Sequence, residues 1–200
     1  LSQAGRHANP KEVRRAMEIC VDNANRAIFN AANSNPQYSG MGTTLVVGIF
    51  QDGRLMLGHI GDSRCYLLRA GEFTQVTKDH SLLQEQMDAG LITPEQAAIS
   101  SNKNLVTRAL GVEDAVLLDV NEYRVEVGDV YLFCSDGLSD MVEDEGISKL
   151  LAVDAPLNAR LVQLIDAANA NGGRDNISVF AAYAQSGSKK RGLISRLLGK

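Results

Sequence analysis

The chain has 200 residues, enough for one domain with a substantial core, and its 44% hydrophobic and 22% charged residues are typical of a globular protein. A net charge of -4 gives no support to nucleic-acid binding, which normally requires a clustered basic excess, and no apolar run approaches the roughly 18 residues of a membrane-spanning helix. Three widely spaced cysteines exclude a disulfide framework and a CxxC metal site, so we predict buried free thiols in a cytoplasmic protein: Cys20, Cys65 and Cys134.

An amphipathic helix is predicted near the start of the chain. Asn9 is a suitable N-cap and Pro10 suits the first turn of a helix. Apolar residues then recur at helical spacing, namely Val13, Met17, Cys20, Val21, Ala24 and Ile28. The helix is expected to end before the Asn-rich stretch "NSNPQYSG".

Residues 43–77 are rich in β-forming residues interrupted by turn signals. Asp52-Gly53, Gly61-Asp62 and Ala70-Gly71 separate the apolar runs, and Asp-Gly between such runs is a strong hairpin signal. This region is therefore predicted to form an antiparallel meander of about four strands.

The second half of the chain alternates between helical and strand patterns. Two short helices, in "SLLQEQMDAG" and "TPEQAAI", are predicted within an inserted lid or flap; two strands follow, in "VLLDVNEYRV" and "DVYLFCS". Helices are then predicted over about 143–153 and 155–170, with a last strand in "NISVFAAYA". We assign residues 1–185 to one domain and 186–200 to a linker and basic tail. That tail is interpreted either as a contact for an acidic partner or membrane surface, or as a solvated terminus.

Three motifs place an Asp beside Gly, Ser or Asn where a β-type run meets a turn. They are "GHIGDSR" with Asp62, "CSDGL" with Asp136 and "GGRDNIS" with Asp175. Each motif alone is also typical of an ordinary turn, because Asp hydrogen-bonds its own backbone. Strand ends distant in sequence can converge at one sheet edge, however, and clustered carboxylates without His or Cys suit Mg²⁺ or Mn²⁺.

The order of the motifs carries a family resemblance. "GMGTT", "GHIGDSR", "TKDHS", "LVTRALG", "CSDGL" and "GGRDNIS" follow one another between Gly40 and about Ala184, and in this order they resemble the metal-dependent Ser/Thr protein phosphatases of the 2C class (the PPM family), especially the small bacterial members. The resemblance implies an α+β fold, a four-layer α-β-β-α sandwich of two antiparallel sheets. It also implies hydrolysis of phosphoserine and phosphothreonine, in opposition to a bacterial Ser/Thr kinase.

The same resemblance implies roles for individual residues. Asp136 and Asp175 match the family's catalytic carboxylates on one metal of a binuclear Mg²⁺ or Mn²⁺ centre. Asp62 matches a carboxylate that helps to hold a third, weaker metal together with the Asp136 equivalent. Two such cations can activate a water molecule for attack on phosphorus, so no protein nucleophile is required. Residues from Ser81 to about Val106 match the flap beside the site.

One part of the family pattern does not occur in these 200 residues. Family members begin with two strands that carry a phosphate-binding Arg and an "ADGMGG" turn whose Asp bridges the principal metals. We therefore expect an N-terminally incomplete domain with two sheet strands absent and unpaired strand edges, inactive or weakly active by itself. The alternatives are a degenerate member of the family or a non-catalytic binding module that engages a protein partner.

Several further residues allow two interpretations. His59 and His80 are expected to be structural, with a general-acid role for His80 as the alternative. Arg64 and Arg174 lie next to candidate metal ligands, where they either contact phosphate or pair with a neighbouring carboxylate. "GMGTT" is not interpreted as a phosphate loop because it lacks both common glycine-rich patterns and precedes a strand.

Overall fold

The computed structural model describes residues 9–100 and 105–186. Its helices are α1 (Pro10–Ser34), α2 (Leu82–Asp88), α3 (Pro94–Ala98), α4 (Asp136–Ser139), α5 (Asp144–Leu151) and α6 (Leu157–Ala170). Its strands are β1 (Leu45–Gln51), β2 (Arg54–Ile60), β3 (Arg64–Arg69), β4 (Glu72–Gln75), β5 (Asp119–Arg124), β6 (Val130–Cys134) and β7 (Val179–Tyr183).

Helix α1 begins where the sequence predicts. The Asn9 side chain accepts a hydrogen bond from the backbone N–H of Glu12, and the Glu12 carboxylate accepts one from the backbone N–H of Asn9. The buried face of the helix consists of residues spaced by four, namely Val13, Met17, Val21 and Asn25. The prediction that Cys20 is buried is wrong, because its position turns it away from this face; Cys65 and Cys134 are buried as predicted.

All four strands predicted between residues 43 and 77 are present, but they do not form one meander. Strands β1 and β2 pair with β5 in a sheet of order β1-β2-β5, whereas β3 and β4 belong to a second sheet of order β4-β3-β6-β7. The connection at Gly61-Asp62 is therefore a crossing from one sheet to the other and not a hairpin. Strands β5 and β6 separate in the same way, since β5 pairs with β2 and β6 with β3.

The two antiparallel sheets stack and carry helices on their outer faces. Alternate residues of β2 point in opposite directions: Leu55 and Leu57 pack between the sheets, and Met56 packs beneath α1. In β6, Tyr131 and Phe133 point between the sheets, whereas Leu132 faces α5 and α6. These three apolar layers confirm the predicted α-β-β-α sandwich.

Strands β1 and β7 lie at sheet edges, each with one pairing neighbour among the described residues. Phe50 of β1 and Phe180 of β7 are exposed there, and Val46, Phe133 and Phe180 help to line a cavity of about 250 Å³. The expectation that two absent strands leave unpaired edges stays a prediction.

Two further expectations concern the remainder of the chain. No helix among the described residues is long and apolar enough to cross a membrane. The predicted linker and basic tail, residues 186–200, lie outside the described residues except for Ser186.

Candidate metal centre

Asp62 lies on the crossing between the two sheets. Gly61 precedes it with φ +99°, a conformation that favours glycine, and a Cβ atom at this position would lie 2.4 Å from the Thr44 side chain. The Thr44 hydroxyl in turn is 2.9 Å from that of Ser63. "GMGTT" thus supports the crossing by packing against it, and the half-buried Asp62 side chain is presented at one end of the sandwich.

Asp136 follows β6, the central strand that delivers it to the same end. Ser135 joins the end of β6 to the loop before β7 through three hydrogen bonds. Its N–H donates to the Ser178 carbonyl at 3.1 Å. Its Oγ donates to the Asn176 carbonyl and accepts from the Ser178 N–H, both at 3.0 Å. Gly137 permits the close approach, because a Cβ there would lie 2.3 Å from the Asn176 carbonyl oxygen. The loop that carries Asp175 is consequently held against Asp136.

The carboxylates of Asp136 and Asp175 have few hydrogen-bond donors. Each accepts one hydrogen bond from the backbone N–H of the next residue, at 2.9 Å for Asp136 and 2.6 Å for Asp175. Within residues 9–100 and 105–186, no Lys or Arg forms an ion pair with either of them or with Asp62. Most of their lone pairs are therefore available to another ligand.

Asp62 experiences the negative potential of its neighbours. Burial and, after it, the charges of Asp136, Asp79 and Asp140 together raise its pKa to about 6, against a hydrogen bond from its own backbone that lowers it. A carboxylate in such surroundings gains from a nearby cation. The donor set of hard oxygens fits Mg²⁺ or Mn²⁺ and does not fit zinc, which prefers nitrogen and sulfur.

Asp140 is a participant that the sequence analysis missed. It follows α4 and lies one helical turn after Asp136, so the i, i+4 spacing within "DGLSD" places both residues on one side of this short helix. Its charge acts on Asp62. This spacing is the sequence signal that would have identified it.

The two arginines beside the carboxylates differ. Arg64 forms a bidentate pair with Asp79, with Nε and Nη2 at 3.0 and 2.7 Å from Oδ2, and its Nη1 donates to the Tyr66 hydroxyl. For Arg64 the carboxylate-pairing interpretation is therefore the one observed. Arg174 is exposed and has no ion pair among the residues that the structure describes.

A second cluster of potential ligands, His59, His80 and Asp119, lies nearby, with one ligand atom of each within 4.8 Å of the others. Nε2 of His59 and both ring nitrogens of His80 are already in use. The two rings stack at 4.7 Å, and His59 Nε2 lies 2.8 Å from the Lys78 carbonyl oxygen. The Arg108 guanidinium approaches both His80 and Asp119, at 3.1 and 2.9 Å. A cation there would meet an arginine, so this cluster is a hydrogen-bonded unit and not a metal site.

His80 is neutral in this unit. The backbone N–H of Gly61 donates to its Nδ1 at 3.0 Å, so the ring proton lies on Nε2, which donates to Asp119 at 3.1 Å. Burial lowers the pKa of His80, and the nearby Arg108 guanidinium lowers it further, while Asp119 opposes both effects. With both nitrogens engaged and the ring buried, His80 has no free position from which to act as a general acid.

The predicted flap has a defined base. The backbone N–H of Leu82 donates to the Leu105 carbonyl and that of Thr107 to the His80 carbonyl, both at 2.9 Å, around a bridge between Ser81 and Val106. Helices α2 and α3 lie between these two chain segments, as the sequence predicts.

Comparison with known proteins gives a consistent result. The protein phosphatase 2C family model matches residues 5–86. A serine/threonine phosphatase from S. agalactiae has the same fold with a TM-score of 0.85 and 34% identity, over 90% of this chain and 74% of that one. The chain belongs to the protein phosphatase 2C family.

Two further relatives of this phosphatase 2C domain are informative. Serine/threonine protein phosphatase PstP from Mycobacterium tuberculosis is 44% identical over 167 residues, which are 83% of this chain and 32% of PstP. The chain thus spans about a third of that relative. The catalytic domain of a serine/threonine phosphatase PstP, solved in complex with two manganese ions, superposes with a TM-score of 0.81 and 37% identity, over 92% of this chain and 77% of that domain.

Proposed function

We propose that the protein hydrolyses phosphoserine and phosphothreonine in phosphoproteins, with Mn²⁺ or Mg²⁺ held by Asp62, Asp136 and Asp175. Family membership supports this activity, as do the names of its relatives, which are serine/threonine phosphatases. The PstP structure with two manganese ions supports the choice of metal. The observation that carries the proposal is the set of three carboxylates at one end of the sandwich without a cationic partner among the described residues.

In this proposal the carboxylates have separate tasks. Asp136 and Asp175 hold a principal cation, and Asp136 together with Asp62 holds a weaker one. When bound, divalent cations lower the pKa of a water molecule for in-line attack on phosphorus and neutralise the phosphoryl oxygens. Ser135 and Gly137 keep the two catalytic carboxylates in register by joining their loops. Arg174, exposed beside Asp175, is available to contact an anionic substrate.

The substrates require a partner reaction. Phosphoserine and phosphothreonine arise by phosphoryl transfer to hydroxyl groups, so the proposed enzyme opposes a Ser/Thr kinase that acts on the same proteins. The free cysteines Cys65 and Cys134 lie buried on the adjacent strands β3 and β6, which suits a reducing compartment and supports a cytoplasmic location for this pair of activities.

The test is hydrolysis of p-nitrophenyl phosphate and of a phosphothreonine peptide by the full-length protein. We expect turnover that requires Mn²⁺ or Mg²⁺ and stops on chelation. Asp136→Ala and Asp175→Ala should each lose about a hundredfold to a thousandfold of the rate, because the loss of one group that stabilises transition-state charge typically costs two to three orders of magnitude.

Matched variants separate loss of chemistry from loss of folding. Asp166→Ala removes an exposed carboxylate of α6, a helix that contains none of the three site motifs, and should retain the wild-type rate. Metal-independent turnover, or full activity in both site variants, would contradict the proposal. Absence of turnover together with weak Mn²⁺ binding would favour a binding module instead.

A further inference from the structure

Two of the sequence motifs contain none of the three site carboxylates, Asp62, Asp136 and Asp175. "TKDHS" contributes His80 and "LVTRALG" contributes Arg108, and the two meet beside the crossing that carries Asp62. Asp119, the first residue of β5, completes the group. These residues come from three separate parts of the chain, so their convergence on one turn requires an explanation.

The turn has a particular need for a hydrogen-bond acceptor. Gly61 lies just beyond both ladders of β2, since the last pairs are Leu45 with Ile60 on one side and His59 with Asp119 on the other. Its N–H therefore has no carbonyl acceptor on a neighbouring strand, although the residue is buried. A buried N–H without an acceptor is costly, so the turn would rearrange if none were provided.

His80 supplies that acceptor and also donates a hydrogen bond to the same residue. Its Nδ1 accepts from the Gly61 N–H, and its own backbone N–H donates to the Gly61 carbonyl, both at 3.0 Å. The peptide units on both sides of Gly61 are thus fixed, and with them the start of Asp62. On the other side of the ring, Nε2 donates to Asp119, whose second oxygen accepts from Arg108.

We infer that His80 is a positioning residue for Asp62: by accepting the Gly61 N–H through Nδ1, it holds the sheet crossing in the conformation that presents the Asp62 carboxylate to a divalent cation. The inference rests on the proposed metal site. It also links that site to the flap, because the His80 carbonyl accepts from Thr107 at the flap base. His80 touches neither substrate nor metal in this role.

Substitutions at His80 can separate its two ring nitrogens. Asn places an oxygen acceptor where Nδ1 lies and has nothing at Nε2; Gln places a donor where Nε2 lies and has nothing at Nδ1. His80→Asn should therefore preserve the hydrogen bond from Gly61, whereas His80→Gln and His80→Ala should lose it. The matched control is His59→Ala, which removes the other buried ring of the same stack without touching Gly61.

The first measurement is independent of activity. Amide hydrogen exchange at Gly61, followed by NMR in the metal-free full-length protein, should accelerate at least about tenfold in His80→Gln and His80→Ala. It should stay near the wild-type rate in His80→Asn and His59→Ala. Unchanged protection of Gly61 in His80→Ala, or equal loss in His59→Ala, would overturn the inference.

The second measurement is the Mn²⁺ concentration that gives half-maximal hydrolysis of p-nitrophenyl phosphate. We expect it to rise about 10- to 100-fold in His80→Gln, the range found for residues that orient metal ligands, and to stay within about threefold of wild type in His80→Asn. A His80→Asn variant as impaired as His80→Gln would contradict the inference. An inactive wild-type protein would contradict the proposed function, while the exchange pattern at Gly61 would still decide the role of His80.

Discussion

Strand β6 has a carboxylate just beyond each end, and the two carboxylates have opposite surroundings. Asp129, before the strand, is 1% exposed and accepts from Arg69 Nε and Nη2, from the Glu126 N–H and from the Tyr131 hydroxyl. Asp136, after the strand, accepts from the Gly137 N–H and forms no ion pair among the described residues. The same residue type on the same strand is saturated with donors at one end and left open at the other.

The difference separates a structural carboxylate from one that is proposed to bind a metal. Saturation lets Asp129 remain charged in the interior, and its pKa is lowered from the ordinary value by Arg69 and the other donors in spite of burial. A carboxylate that has few hydrogen-bond donors and lies near other carboxylates is not stabilised by the folded protein alone. Its free lone pairs and negative potential are the properties that a divalent cation uses.

The largest expected effect on stability lies at the saturated end. Asp129→Ala removes the buried partner of Arg69, which keeps only its longer contact with the exposed Glu126, and it removes the acceptor of the buried Tyr131 hydroxyl. We therefore expect a loss of about 3 kcal/mol in the free energy of unfolding. The corresponding fall in Tm is about 10 °C for a domain of this size. Thermal and urea denaturation of the metal-free protein measure both values.

Asp136→Ala is the matched variant at the open end. Because it removes a carboxylate that the fold does not satisfy, the free energy of unfolding without metal should change by less than about 1 kcal/mol. Phosphatase activity should follow the opposite order, with Asp129→Ala retaining the wild-type rate per folded molecule. Equal destabilisation by the two variants would remove the distinction between the two ends.

This distinction is only partly visible in the sequence. Alternating apolar residues predict the strands, and the Asp-Gly, Asp-Ser and Asp-Asn positions mark their ends. The pattern does not specify which strands pair, so Gly61-Asp62 has the same local signature as a hairpin although it joins two sheets. The donors around Asp129 and the partner of Arg64 come from residues up to 60 positions away, and such contacts have no local signal.

His80 illustrates the same limit. Its burial agrees with the structural role expected from the sequence. Its contacts with Gly61 and Asp119 span 19 and 39 positions, so they depend on the sheet crossing that the local pattern mispredicts.

The contact between the loops of Asp136 and Asp175 provides an intermediate test. In Gly137→Ala, the new Cβ would lie 2.3 Å from the Asn176 carbonyl oxygen, and backbone atoms must move to accommodate it. We expect a loss of about 1–3 kcal/mol in stability, as for overpacked sites, together with a higher Mn²⁺ requirement. Isothermal titration with Mn²⁺ and urea denaturation measure the two effects.

Gly71→Ala is the control for this substitution. Gly71 follows the positive-φ residue Ala70 in the β3–β4 turn and itself has φ +89°, with open space around its Cα. Its substitution should destabilise the fold through backbone strain and leave Mn²⁺ affinity unchanged. A Gly137→Ala variant with wild-type Mn²⁺ affinity would show that the proposed metal site of Asp136 and Asp175 does not depend on this contact.

The smallest effect, and the one that contrasts the two ends most directly, is the pH dependence of stability without metal. The folded-state pKa of Asp62 is raised to about 6, above its unfolded value, so the folded protein binds more protons than the unfolded chain between about pH 4 and pH 6. Stability should therefore rise by about 1 kcal/mol as the pH falls from 7 to 5, after allowance for solvent screening of this half-buried group.

The pH dependence from Asp129 has the opposite sign. Because the folded-state pKa of Asp129 is lowered, its contribution to stability is present above the unfolded-state pKa and is lost as the pH falls through the folded-state pKa, below about pH 4. Denaturation of the chelated protein at pH 7, 5 and 3.5 measures both effects. The gain in stability between pH 7 and 5 should disappear in Asp62→Asn, and the loss of stability at pH 3.5 should be smaller in Asp129→Asn. An unchanged gain in Asp62→Asn would mean that the negative potential at the open end arises elsewhere.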